Sequence, residues 1–201
     1  PILIPPGVIC GNKVPTISFP NDPSDDRLFL WLAIVNSLPF DWLLRRIVTT
    51  TVNYFVLLSL RLPNLDISSL PAQRLIGLAR KLLELDQSKN SSFESVWRIA
   101  ELRCEADVLV ARAYGCSEDD LRLMLRDFPL LDRGQPAIQG ETSSTITEDV
   151  LLSAWLRNAE TGNEQSAQRV ERARKLGAIP YVSSEFVSSI QEKSNEVGGE
   201  Q

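Results

Sequence analysis

From Ser69 onward the sequence carries helix start and stop signals in alternation, which commits most of the chain to a helical bundle. Ser69 is a cap and Pro71 occupies the first turn of a helix reaching Leu85, with Leu75, Leu78, Leu82 and Leu85 on one stripe. A polar loop follows over residues 86–92. The longest helix spans residues 93–114 and is closed by Gly115, since a left-handed residue after the last turn costs glycine nothing. Ser117 and Asp120 form the capping-box spacing for the next helix, which ends at Phe128 and Pro129. Residues 132–146 read as a polar connector. Thr147, Glu148 and Asp149 open a helix through Leu156, and a charged helix from about Asn163 to Leu176 stops at Gly177. Residues 194–201 are expected to be a disordered tail. No internal repeat is visible.

The first 66 residues read differently. Residues 2–4 and 8–10 are short apolar runs separated by Pro5, Pro6 and Gly7, and predict two short strands joined by a turn. Ser24 predicts a helix cap, with Asp25 and Asp26 in the first turn and the helix running to about Asn36. Residues 29–35 are apolar on every side and so are expected to be buried. Pro39 breaks the chain before a short second helix that carries Trp42 and Leu43 and ends near Arg45 and Arg46. Residues 47–52 are all β-branched and predict a strand. Residues 54–60 fit a strand or a short helix; the short helix is preferred, ending before a strand-like 60–63. The expected fold is therefore α+β and mostly α, a small amino-terminal strand region followed by a helical bundle. The expected division is an α/β part over 1–66 and a helical domain over 67–193.

With 201 residues, 43% hydrophobic and 23% charged, the chain can bury a core without cross-links. It opens on Pro1 and passes at once into Ile2, Leu3 and Ile4, as a chain entered in mid-strand would, so an amino-terminal partner is expected to lie outside it. There is no histidine, and Cys10, Cys104 and Cys116 are widely spaced, which removes zinc spacings and any Ser-His or Cys-His relay. No glycine-rich nucleotide loop and no nucleophile elbow occurs. Carboxylate pairs such as Glu118 and Asp120 read as helix caps. No signal-peptide pattern is present and the longest apolar run, residues 28–35, is far too short to cross a bilayer. The expectation is a cytoplasmic protein with reduced thiols and no membrane partner.

The net charge of −5 argues against nucleic-acid binding over the whole surface. Its distribution qualifies that. Between Trp42 and Leu65 stand Arg45, Arg46 and Arg61 and no acid, while acids gather at helix starts such as Asp25–Asp26 and Glu118–Asp120, where the helix dipole favours them.

Two stretches carry a family likeness. Residues 35–63 read VNSLPFDWLLRR, then VTTTVNYF, then LRLP; residues 100–129 read AELRCEADVLVARAYGCSEDDLRLMLRDFP. In this order they resemble the region that follows the catalytic domain in combined restriction–modification enzymes of type II-G and related adenine-specific DNA methyltransferases. The opening LIPPGVICGNKVPT and the late TEDVLLSAWL fit the same pattern, so the likeness spans most of the chain. It implies a target-recognition region that helps to clamp duplex DNA while a separate domain of the same protein methylates the exocyclic amine of adenine from S-adenosylmethionine. The chain departs from the family in lacking the catalytic half. Its one Pro-Pro pair, Pro5-Pro6, lies between Ile4 and Gly7 and does not match the catalytic motif. The expected cofactor in this chain is therefore none, with S-adenosylmethionine belonging to the missing catalytic domain. The expected partners are double-stranded DNA and that domain.

On that reading Arg45 and Arg46 suit phosphate contact, because a guanidinium pairs with two oxygens at once and nearby threonine hydroxyls add neutral hydrogen bonds. The competing reading pairs one arginine with Asp41 and leaves the other as a solvated cation at a helix C-terminus. Thr49, Thr50, Thr51 and Asn53 are candidates to face a groove, where asparagine reads adenine; ordinary strand threonines are the alternative. Asn12 and Lys13, after Cys10, and Arg133 and Gln135, after Pro129, are further candidates for DNA contact. Trp31, Trp42, Trp97 and Trp155 sit at helical spacing among aliphatics and read as core, as do Tyr54 and Phe55. A second function stays open: a structural helical module that packs on the catalytic domain or a partner subunit without touching DNA.

Overall fold

A computed structural model describes residues 2–4, 16–88, 90–158 and 164–182. Among them the chain is helical: α1 (Asp26–Val35), α2 (Leu38–Ile47), α3 (Tyr54–Ser59), α4 (Leu70–Gln87), α5 (Phe93–Ala113), α6 (Glu118–Arg126), α7 (Ile146–Asn158) and α8 (Glu164–Lys175). The helical bundle expected from the capping signals is present. The amino-terminal strand region is not, since no strand occurs among the described residues. Residues 2–4 are irregular, and 8–10 and the tail 194–201 lie outside the described residues. The β-branched stretch 47–52 divides: Ile47 finishes α2, and 48–53 is an irregular link. Branched side chains favour a pleated surface only when a neighbouring strand supplies it, and none does among the described residues.

α5 is the axis. One apolar cluster gathers Ala33, Val35, Phe40, Leu75, Leu78 and Val110 from α1, α2, α4 and α5. Another gathers Trp97, Val108, Leu121, Ile146, Leu151 and Ile179 from α5, α6, α7 and the segment after α8. Consecutive residues of α5 from Ala106 to Ala111 are buried, as a helix packed on several sides requires. α1 and α2 thus pack on helices from beyond residue 66.

The caps follow from local chemistry. Ser69, Ser92 and Ser117 accept the N–H of Ala72, Ser95 and Asp120, and Asp120 returns the bond to the Ser117 N–H at 2.8 Å. Gly115 and Gly177 end α5 and α8 with φ of 76° and 83°. Two amino-terminal readings need correction. Asp25, not Ser24, holds the N-cap position of α1, in a left-handed conformation without a side-chain bond; the Ser24 hydroxyl still accepts the Asp26 N–H at 3.4 Å, and the Asp22 carboxylate accepts the Arg27 N–H at 2.6 Å. Arg80 on α4 donates to the Ser24 carbonyl (2.6 Å) and to Asp26 (2.7 Å), which ties this turn to α4. Pro39 does not break the chain but sits in the first turn of α2, behind the Ser37 cap.

Trp97 is buried, and Trp31, Trp42 and Trp155 are half-buried against the two clusters, consistent with core roles. Tyr54 and Phe55 are not core: Tyr54 is 45% exposed and Phe55 87%. No single helix among the described residues is long and apolar enough to cross a membrane; α1 and α2 together reach that length but meet at 65°.

Candidate nucleic-acid interface

The basic end of α2 is built against the end of α6. Asp127, just after α6, accepts the Trp42 indole N–H at 2.8 Å and a guanidinium N–H of Arg46. The Arg46 guanidinium also lies 3.9 Å from the centre of the Trp42 ring. Arg45 donates its Nε–H to Asp41 one turn earlier at 2.9 Å and rests over Phe128, 4.8 Å from the ring centre. The Asp41 pairing of the competing reading is present, while Arg46 is paired with Asp127 and is not a free cation. Arg45 has the Asp41 partner, yet the two side chains remain 61% and 53% exposed. A guanidinium has five N–H donors, and an exposed ion pair is worth at most about 1 kcal/mol. Neither arginine is locked away from a phosphate.

The link 48–53 continues this edge. Thr49, Thr50, Thr51, Val52 and Asn53 are exposed, and the backbone N–H groups from Thr49 to Val52 donate to no acceptor among the described residues. Of the six residues expected to form a strand, Thr49 to Val52 instead present amides without an acceptor among the described residues, and the three threonines add exposed hydroxyls. Asn53 is partly spent: its side-chain oxygen accepts the Val56 N–H at 3.0 Å and caps α3. A bidentate reading of adenine needs that oxygen, so Asn53 is a capping residue in this conformation.

The remaining candidates fall apart spatially. Arg133 is exposed in the turn after Pro129. Gln135, two residues on, is buried, with its amide donating to the Val182 carbonyl (2.9 Å) and accepting the Ile179 N–H (3.1 Å). It fastens the chain after α8 and cannot reach DNA, which corrects its assignment as a DNA-binding residue. Asn12 and Lys13 lie outside the described residues. Sequence reasoning missed Arg126, exposed at the last turn of α6 beside Asp127 and without an ion pair among the described residues. Its only signal was an arginine just before Phe128, which helix-capping logic explains equally well.

A second polar cluster is internal. Asp107 on α5 is 5% exposed; one carboxylate oxygen accepts the Leu38 N–H at 2.7 Å and the other accepts the Tyr181 hydroxyl. Burial pushes its pKa up to about 6, against the pull of those two hydrogen bonds and of the Arg103 charge. Burial also raises the Cys104 thiol, which is therefore no ready nucleophile. Asp132 takes both the backbone N–H (2.8 Å) and hydroxyl of Thr147, whose oxygen in turn accepts the Tyr181 N–H at 2.9 Å. These groups bind one another and tie the chain after α8 to α5 and α7. No group of three metal-ligating side chains occurs among the described residues. An open groove of about 750 Å³ between α1, α4 and α5 is walled mainly by apolar side chains such as Leu3, Phe29, Leu82 and Ile99, with Arg103 and Asp107 at its edge.

Comparison of the chain with protein-family models, with curated proteins and with solved structures returned no match.

Proposed function

We propose that this chain is a non-catalytic DNA-docking part of an adenine-specific DNA methyltransferase of a restriction–modification system. The α2–α3 edge faces the duplex. The observation that carries the reading is the exposed pair Arg45–Arg46 followed, after a half-buried Val48, by three exposed threonine hydroxyls and, from Thr49 to Val52, four backbone amides without an acceptor among the described residues. All of these groups carry N–H or O–H donors, and the two guanidiniums keep donors beyond those spent on Asp41 and Asp127. Phosphate oxygens are the acceptors that suit such a row, and bonds of this kind set register without reading sequence. Arg126, next to the Asp127 that Arg46 binds, adds an exposed cation at the end of α6. Methyl transfer and S-adenosylmethionine belong to a catalytic domain outside this chain, whose polar clusters are consumed in holding the fold.

The net charge of −5 keeps non-specific affinity low, so binding is confined to this edge and is strongest at low salt. Titration of duplex DNA across a range of salt concentrations gives the slope of log affinity against log salt. Replacing both arginines (Arg45→Ala/Arg46→Ala) is expected to flatten that slope by about 1.8, since each phosphate that a cation neutralises contributes about 0.9. Absence of binding even at low salt, or a slope unmoved by the double variant, defeats the reading.

The apolar groove between α1, α4 and α5 favours a second reading, in which that face packs on the catalytic domain or a partner subunit without DNA contact. Leu82→Glu in the groove wall is then expected to abolish association with the catalytic domain. An unchanged association excludes the groove.

A further inference from the structure

The α2–α3 edge carries an apolar feature that phosphate binding does not use. Phe55 is 87% exposed and Leu58 75% exposed. They stand three residues apart, on one face of α3. The opposite face, Leu57 with Leu60 just beyond the helix, packs on the α1–α4–α5 cluster. A six-residue helix has little stability of its own. This one is mounted at several points. Asn53 caps it, the Ser59 hydroxyl donates to the Val56 carbonyl at 2.8 Å, and the Tyr54 hydroxyl both accepts the Thr16 N–H (2.7 Å) and donates to the Thr16 carbonyl (2.9 Å). The exposed ring is therefore held by a braced element, not carried on a loose loop.

Charge selects what could cover it. From Trp42 to Leu65 the chain holds three arginines and no acid, and Arg61, which makes no ion pair among the described residues, lies beyond α3 as Arg45 and Arg46 lie before it. Cations at both ends of the segment, with an apolar tip between, match a duplex: phosphates flank a stack of bases, whose faces are a large apolar surface that an aromatic ring can cover.

We propose that Phe55, backed by Leu58, is a wedge that enters a base step of the duplex gripped by Arg45 and Arg46; this rests on the DNA-docking reading above. Apolar side chains inserted in this way unstack a step and bend the duplex, at a cost of a few kcal/mol that the added buried surface offsets.

A duplex with one A·A mismatch has already given up part of that stacking, so it is the discriminating probe. At low salt the chain is expected to bind the mismatched duplex about tenfold more tightly than the paired one. Phe55→Ala should remove the preference, while Arg45→Ala/Arg46→Ala should weaken both duplexes and keep it. Because Phe55 is exposed, its variant should melt at an unchanged temperature, which separates loss of the wedge from loss of the fold. Equal affinity for the two duplexes, or a preference that survives Phe55→Ala, overturns the wedge and leaves docking intact. Binding to neither duplex overturns docking and the wedge together. Phe55→Ala that leaves both DNA affinities unchanged but weakens association with the catalytic domain overturns the wedge in favour of a protein interface.

Discussion

At the scale of single residues, Asp107 does the most with the least. One carboxylate holds the first N–H of α2 and the hydroxyl of Tyr181 on either side of α5. Its folded pKa of about 6 lies above the ordinary 3.8, so the folded chain keeps a proton that the unfolded chain has already given up. The sign follows. The stabilising contribution is complete below about pH 4 and is lost as pH rises through about 6. Asp107→Asn keeps an oxygen for Leu38 and a polar partner for Tyr181 but does not titrate. Urea-unfolding midpoints are expected to fall for the native chain relative to Asp107→Asn between pH 4 and 6, then run parallel above. Parallel curves throughout would show that Asp107 does not titrate as a buried group. Asp107→Ala instead strands two buried donors and is expected to cost about 1–3 kcal/mol for each. None of this was legible in the sequence, where Asp107 is one acid among many on a long helix; only the crossing of α2 and the chain after α8 over α5 gives it partners.

Elements were legible where their signals are local. Ser69 with Pro71, Ser117 with Asp120, and Gly115 and Gly177 mark helix ends through bonds and dihedrals within a few residues, and the structure has helices at those places. The stretch 47–52 failed because a strand needs a neighbour, and no local signal reports its absence. The turn at Ser24 is likewise held by a bond from Arg80, 56 residues away, which no local signal reports. The candidate site was half legible: Arg45, Arg46 and the threonines share one exposed edge, whereas burial of Gln135 and exposure of Phe55 depend on how distant segments pack. α3 tests the division between local and distant causes. Its cap is local, so Asn53→Ala should remove the bond to Val56 and cost about 1 kcal/mol. Because the helix is short, the loss is expected as local opening. Amide exchange at Val56 and Leu57 should speed up while the global melting temperature changes little. Exchange rates equal to those of the native chain would place the stability of α3 in Tyr54 and Leu57 alone.

For the whole molecule the question is whether a sequence that changes character near residue 66 makes two folding units. The apolar clusters argue for one. Residues 106–111 of α5 are buried in a row, with Ala106, Leu109 and Val110 turned to the α1–α4 side and Val108 and Ala111 to the α6–α7 side. Neither cluster closes without α5. A helix that supplies a wall to two cores cannot unfold from one and remain in the other without exposing apolar area, at roughly 25 cal/mol per Å². Unfolding is therefore expected to be a single transition. Chains retaining only Trp31, packed on the α1–α4 side, or only Trp97, packed on the α6–α7 side, should give the same urea midpoint by fluorescence once each variant's own stability loss is subtracted by circular dichroism. Separate midpoints would divide the chain near residue 66. A single one makes α5 the beam on which the proposed DNA-facing edge is carried, so that even core substitutions far from Arg45, such as Leu151→Ala, are expected to weaken the proposed docking only in step with the fraction of unfolded chain.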